Sequence, residues 1–261
     1  MELNKIFIKY KNPNQVIYFG DKKIYLFLIT NNIPEFVDSF ERDHKDEFFL
    51  EGITKKLAKV ETGIILNPGY FVYNLLSFDK LPYKKKQRDD LVNWRVGKIF
   101  PENIENYIHD YTMLDKNSVL SILFRRNLRS SIEEKVFNAG INLISLGNST
   151  VEIINSLRSV KEKELPDFII ERDGNILLMV FLRGGCPIYI RKMRTENNSV
   201  SGNEIKKTIT FVEKNYGLKS SSFSLFSVGE DKKSIINELN ELKLDNLVFK
   251  NSNIRFLPGI K

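Results

Sequence analysis

The chain has 261 residues, which is enough for one large domain or for two lobes with a sizeable core. Its 42% hydrophobic and 28% charged residues are ordinary for a globular protein, and no stretch approaches the roughly 20 apolar residues of a membrane-spanning helix. The net charge of +7 permits an acidic partner (nucleic acid, anionic lipid or acidic protein), although a generally basic solvated surface explains it equally simply.

Cysteine and histidine are too scarce for most metal or nucleophile chemistry. The single cysteine, Cys186, excludes an intramolecular disulfide and a cysteine-based zinc site. Only two histidines are present, so we expect no metal centre. The first ten residues lack the long apolar segment of a signal peptide, and we therefore expect a cytoplasmic protein.

The first elements in chain order are two apolar strands, Val16 to Phe19 and Ile24 to Ile29. The turn Gly20-Asp21-Lys22-Lys23 between them predicts a β-hairpin. Residues 31–51 are polar with scattered aromatic anchors, and we predict one or two short helices there. A short helix and two strands should follow: Ile53 to Val60, Thr62 to Leu66 and Phe71 to Phe78.

The next segment, Lys80 to Lys98, is strongly basic and has helical spacing of its apolar residues. Positive charge at the start of a helix opposes the helix dipole, which favours a role for this surface in binding anionic lipid or an acidic partner. A solvated face is the alternative. The residues predicted to form this surface are Lys84, Lys85, Lys86 and Arg88.

The first half of the chain closes with a hairpin, two helices and a strand. The charged segment 161–165 then ends at a proline and marks a lobe boundary. The predicted hairpin strands are Ile108 to Leu114 and Ser118 to Phe124. A helix from Asn127 to Ala139, ended by Gly140, comes next, followed by a strand from Ile141 to Leu146. The second helix runs from about Ser149 to Val160 and is capped by Ser149 or Thr150.

The segment Pro166 to Arg194 reads as three successive strands. Its first turn, Asp173-Gly174-Asn175, is a strong hairpin signal. The apolar run Ile176 to Leu182 implies a strand covered on both faces. Later elements are a helix from Gly202 to Tyr216, a strand from Phe223 to Val228, a helix from Lys232 to Leu242 and a strand from Asn246 to Phe249. No internal sequence repeat is evident.

The order of these features resembles one family. The residues that carry the resemblance are, in chain order, Leu81-Pro82, Trp94 and Lys98, Phe100-Pro101, Asp110-Tyr111, Ala139-Gly140-Ile141 and, in the second half, Gly185, Pro187 and Arg191. This order resembles the PilM family, the actin-like platform proteins of type IV pilus assembly, and more distantly the cytoplasmic domain of the type II secretion L protein. The resemblance implies an α/β, two-lobed actin-like (ribonuclease H-like) fold. Residues 1–165 would form the first lobe, with an inserted subdomain at about 79–145, and residues 166–261 a second lobe that lacks the family's final helix.

The departures from the family concern nucleotide binding. Members that bind ATP are expected to carry an acidic, glycine-rich phosphate turn in each lobe and a glycine pair near the base. This chain has two lysines after Asp21, and Arg172 where a small residue would admit phosphate. We therefore expect no cofactor and no ATP turnover. The degenerate nucleotide-site positions are Asp21, Asp173, Gly174 and Gly229.

The resemblance implies an adaptor at the inner face of the cytoplasmic membrane. Such a protein would bind the cytoplasmic N-terminal tail of a PilN-like bitopic membrane protein, and other platform or motor components, and would reach the membrane through its partner. An extended tail gains main-chain hydrogen bonds at a sheet edge or in a groove. The residues predicted to form that groove in the first lobe are Phe71, Tyr73, Val119, Phe124, Arg125 and Arg126.

Two alternatives remain open at this stage. An ATP-binding member of the same fold would use Asp21 and Asp173 on magnesium. A nucleic-acid-binding protein would use the basic helix and the arginines from Arg183 to Arg194. Aromatic residues do not interleave with the basic ones as stacking platforms would, and so we expect no nucleic-acid partner.

Overall fold

The computed structural model describes residues 8–9, 13–31, 33–42, 50, 53, 60–100, 104–157, 165–194, 202–219, 222–227 and 248–249. The strands are β1 (Ile8–Lys9), β2 (Gln15–Phe19), β3 (Lys23–Thr30), β4 (Ile33–Glu41), β5 (Thr62–Leu66), β6 (Phe71–Ser77), β7 (Tyr107–Met113), β8 (Ser118–Arg125), β9 (Leu143–Asn148), β10 (Phe168–Asp173), β11 (Ile176–Arg183), β12 (Cys186–Arg194), β13 (Ser222–Ser227) and β14 (Val248–Phe249). The α-helices are α1 (Lys85–Ile99), α2 (Arg126–Asn138), α3 (Ser149–Leu157) and α4 (Gly202–Tyr216).

The two large sheets share one strand order. The first sheet runs β1-β9-β5-β2-β3-β4, and the second runs β12-β11-β10-β13-β14. In the first sheet, β2, β3 and β4 form an antiparallel meander, and β5 and then β9 add to β2 in parallel. In the second sheet, β10, β11 and β12 form the antiparallel meander, and β13 and then β14 add to β10 in parallel. The chain is therefore built as two lobes of repeated architecture, although its sequence shows no repeat.

A third sheet, β6-β8-β7, is inserted into the first lobe. Its strands alternate their side chains between two faces. One face, with Val119 and Leu123, packs on Val92 and Val96 of α1. The other face joins the main core beside α2. The inserted sheet begins at Phe71, before the predicted start of the subdomain at about residue 79, because β6 pairs with β8.

One hydrophobic core runs from the first lobe into the second. Ile17 and Leu26 of the first sheet, Ile154 of α3, and Val180 and Leu182 of β11 belong to the same buried cluster. The opposite face of the second sheet packs on α4 in a separate cluster. Strand β11 is consequently covered on both faces, as its apolar run predicts.

The prediction of helices in residues 31–51 is wrong for its central part. Residues 33–41 form β4, an edge strand paired antiparallel with β3. Phe36 and Val37 are exposed, so the strand has no buried face that would require polar and apolar residues to alternate in its sequence. Pairing with the neighbouring strand β3 decides the structure instead. The predicted helices at 53–60 and 232–242 lie almost entirely outside the described residues. Across the part of the chain that the structure describes, no helix has both the length and the apolarity to cross a membrane.

Candidate functional site

The candidate site is the cleft between the two lobes. It lies where β2 and β10 end and where α3 begins, which is the edge at which open α/β sheets usually bind ligands. Three segments converge there: the turn at residues 20–22 between β2 and β3, the turn Gly174-Asn175 between β10 and β11, and the first residues of α3.

The two hairpin turns exchange hydrogen bonds. The backbone N–H of Asp21 donates to Oδ2 of Asp173 at 3.1 Å, and the backbone N–H of Asn175 donates to Oδ2 of Asp21 at 2.9 Å. The hydroxyl of Tyr18 also donates to Asp173 Oδ2, at 2.8 Å. Each aspartate thus accepts a hydrogen bond from the backbone of the opposite lobe, and both carboxylates are used within the protein.

Glycines allow the turns to approach this closely. Gly174 has φ +56°, and a Cβ on it would lie 2.6 Å from Oδ2 of Asp21. A Cβ on Gly20 would lie 3.1 Å from both carboxylate oxygens of Asp173. A side chain at either position would force the lobes apart locally.

The polar groups at this contact match each other better than they would match a bound phosphate group. Backbone N–H groups that could cradle a phosphate already donate to Asp21 and Asp173. Without a bridging cation, a phosphate placed there would also face two carboxylates, and like charges at such distances repel in a partly buried site. Tyr18 is buried, and burial followed by the Asp173 charge raises the pKa of its phenol, so Tyr18 stays a neutral donor.

A second buried network surrounds Glu171, two residues before Asp173. Its carboxylate accepts hydrogen bonds from the hydroxyls of Ser149 and Thr150, the latter at 2.7 Å, at the start of α3. Tyr73 of β6 lies 3.2 Å from the Thr150 hydroxyl and receives a hydrogen bond from Asn148 at 2.7 Å. The network therefore joins the second lobe, the first lobe and the inserted sheet.

The environment of Glu171 favours its neutral form. Burial raises the pKa of this carboxyl to about 7; the hydrogen bonds from Ser149 and Thr150 oppose the shift, and the Asp173 charge adds to it. The same burial raises the pKa of the Tyr73 phenol. A carboxyl group that titrates near neutrality thus lies at the junction of all three units.

Sequence reasoning missed this network. The predicted caps of α3, Ser149 and Thr150, bind Glu171, while the Asn148 side chain accepts the helix N–H of Val151 at 3.0 Å and caps the helix. A signal was present, because Glu171 interrupts a strand whose other positions up to that point are apolar.

Arg172 does not face the cleft. Successive strand residues point to opposite sides, so Arg172 lies on the face of Phe168 and Ile170, which packs towards α4, while Glu171 and Asp173 face the first lobe. Arg172 therefore does not stand in the way of a phosphate in the cleft, whereas the backbone N–H groups of the two turns are already engaged with Asp21 and Asp173. Gly229, the remaining predicted nucleotide position, lies outside the described residues.

Three residues predicted to contact a partner are instead core residues. Phe71, Val119 and Phe124 are at most 1% exposed, because helices and the first lobe cover both faces of the inserted sheet. Tyr73 is only half-buried, but its hydroxyl belongs to the Glu171 network. The prediction that these four side chains line a partner groove is wrong for the three buried ones.

The two predicted arginines do line a groove. Arg125 and Arg126 are exposed and border a cavity of about 910 Å³ between the start of β7 and α2. Arg126 donates to the backbone oxygens of Glu105 and Tyr107, whereas the side chain of Arg125 forms no hydrogen bond to the described residues. Strand β7 is an edge of the inserted sheet, and within the described ranges it pairs with β8 alone.

The predicted basic surface divides into two parts. Lys84, Lys85 and Lys86 are exposed. Arg88 is half-buried and donates from Nε to the hydroxyl of Tyr111 at 3.0 Å, so it fastens α1 to the inserted sheet. The three lysines stay a prediction for such a surface, whereas Arg88 is engaged within the protein.

Comparisons with known proteins agree with this architecture. No protein-family model matches the chain, and no curated protein matches it. A solved PilM-PilN type IV pilus biogenesis complex is similar, with a TM-score of 0.72 at 14% identity over 92% of this chain and 88% of that chain. The cytoplasmic domain of EpsL, an inner-membrane component of the Vibrio cholerae type II secretion system, has a TM-score of 0.59 at 7% identity over 96% and 100%.

A third similar structure is a Bacteroides thetaiotaomicron protein described as having an actin-like ATPase fold and unknown function, with a TM-score of 0.58 at 13% identity over 92% and 91% of the two chains. At these identities the likeness is one of fold. The chain has a two-lobed actin-like fold, and the predicted resemblance to PilM and to the type II secretion L protein is confirmed at that level.

Proposed function

We propose that this chain is a cytoplasmic, actin-like adaptor of a type IV pilus or type II secretion-like platform, and that it does not turn over ATP. The observation that carries the proposal is the exchange of hydrogen bonds between the two hairpin turns in the cleft. The turns that a nucleotide-binding member would use for phosphate hydrogen-bond each other here, which supports a scaffold role for the fold.

The proposed partner is the cytoplasmic tail of a PilN-like membrane protein. The similarity to a structure solved as a PilM-PilN complex supports this choice. Strand β7 offers an edge for an added extended segment, and the neighbouring groove offers Arg125 as a charged contact. Such a tail would gain main-chain hydrogen bonds from β7 and specificity from the groove.

Calorimetric titration of the purified protein with Mg-ATP tests the first half of the proposal. We expect no heat of binding and no thermal shift at millimolar nucleotide. Micromolar binding that Asp173→Ala abolishes would instead establish a nucleotide-binding member of the fold, using the very carboxylates that we assign to the turn contact.

Binding of candidate tail peptides tests the second half. Charge reversal at Arg125→Glu should weaken the binding of a PilN-like tail about tenfold or more, because it places a repulsive charge in the groove. Arg95→Glu is the matched control, since Arg95 is exposed on α1 and away from the groove residues. Equal effects of both variants would remove the groove from the proposal.

A further inference from the structure

Positive charge is concentrated on one short part of the molecule. The segment Lys80 to Lys98 contains seven cationic and two acidic residues, and thus +5 of the chain's net +7. The first turn of α1 contains no acidic residue. Lys84, Lys85 and Lys86 are exposed, and in the described part of the chain none of them forms an ion pair. This charge is therefore available to an external anion.

Exposed aromatic side chains accompany these lysines. Val92 and Val96 of α1 pack on the inserted sheet. Trp94 lies two residues from each of them, a rotation of about 200° around the helix, so its side chain is on the side away from the sheet. It is 57% exposed, and the Lys98 ammonium lies 5.9 Å from its ring centroid. Tyr83, directly before the three lysines, is 95% exposed.

We propose that the basic segment at the start of α1 (residues 83–86), together with the exposed Trp94 and Lys98 further along the helix, binds the anionic headgroups of a membrane leaflet. Tryptophan and tyrosine are the side chains that lie at membrane–water interfaces, because one end is apolar and the other polar. Clustered lysines add attraction to anionic lipid. This contact is separate from the proposed groove for a partner tail.

The only tryptophan of the chain is Trp94, so its fluorescence reports on this surface without labelling. The full chain would be mixed with phosphatidylcholine vesicles, with or without phosphatidylglycerol. We expect co-sedimentation and a blue shift of Trp94 emission with the anionic vesicles alone. Both signals should decline at high salt, because screening weakens exposed charge interactions.

A charge-matched pair of variants locates the contact. Lys84→Gln, Lys85→Gln and Lys86→Gln together should lower partitioning onto anionic vesicles roughly a hundredfold. The control combines Lys206→Gln, Lys214→Gln and Lys219→Gln, which removes the same charge from exposed positions in and after α4. It should bind nearly as well as the parent protein.

Two results would overturn the proposal: absence of vesicle binding by the parent protein, or equal loss in both variants. If an acidic peptide such as polyglutamate binds through the three lysines while anionic vesicles do not, the surface belongs to an acidic protein partner and the lipid assignment is wrong. The Arg125 test of tail binding is independent of these outcomes, because Arg125 lies on the groove beside α2.

Discussion

In the cleft between the lobes, Asp21 and Asp173 accept hydrogen bonds from the opposite turn, whereas on α1 the lysines at 84–86 are exposed and unpaired within the described residues. The cleft is the usual ligand site of an open α/β fold, yet its two carboxylates accept hydrogen bonds from the backbone of the facing turn. Among the described residues, these three lysines have no such side-chain partner. We therefore expect this chain to interact with other molecules through its outer surfaces more than through its central cleft.

The largest expected effect comes from separating the turns in the cleft. Gly174→Ala should lower the free energy of unfolding by about 4 kcal/mol, because it adds a Cβ in a left-handed conformation and against Asp21. Gly184→Ala is the matched control: Gly184 has the same φ of +56° but no atom within 4 Å of its added Cβ. It should cost about 1–2 kcal/mol. Urea denaturation measures both, and equal losses would mean that the turn contact contributes little.

The buried carboxyl of Glu171 should make stability fall as the pH rises. Its pKa is about 7 in the folded protein against an ordinary value of 4.5, so the folded state binds the extra proton between these values. This contribution is fully present below pH 4.5 and is lost by about pH 7, on the order of 3 kcal/mol. Glu171→Gln should remove that slope in urea denaturation curves recorded across this range, while the exposed Glu134→Gln should keep it.

His109 should produce the opposite slope beneath α1. It bridges Asn93 of α1 and Ser121 of β8, at 2.7 and 3.0 Å, and burial lowers its pKa to about 4 against a weaker opposing effect of Asp89. The unfolded chain binds the proton first, so stability is full above pH 6.5 and falls by about 3 kcal/mol towards pH 4. His109→Gln should flatten this limb. An unchanged acid limb would show that His109 is not held neutral.

The smallest effect distinguishes binding from stability at the start of α1. Lys84 is the N-cap residue, with extended backbone and no side-chain capping bond. Lys84→Asp should raise the free energy of unfolding by about 1 kcal/mol, because aspartate caps the helix and complements its dipole. Thermal denaturation checks this, with Lys84→Ala as control. A gain in stability joined to weaker vesicle binding would show that the lysine is retained for its surface role; a loss in stability would contradict the cap assignment.

Local patterns in the sequence predicted most elements of the lobes. Apolar runs bounded by Gly-Asp or Asp-Gly turns predicted the hairpins β2-β3 and β10-β11, and helical spacing predicted α1 and α4, whose bounds at Gly202–Tyr216 agree to the residue. The edge strand β4 was missed because its polar, exposed side chains carry little periodicity. Pairing with β3 supplies what the local sequence lacks.

The sequence by itself determined most of the order of strands and helices, with β4 as the exception, and also the basic segment and the loss of glycine-rich phosphate turns. Only the tertiary structure decided which residues meet. Asp21 and Asp173 are 152 residues apart, and Glu171 lies 22 residues after Ser149. No local pattern encodes these contacts, because they depend on two lobes of repeated architecture packing about one core. The same packing buries Phe71, Val119 and Phe124 and leaves Trp94 exposed, since a strand or helix has two sides and tertiary contacts decide which side is covered.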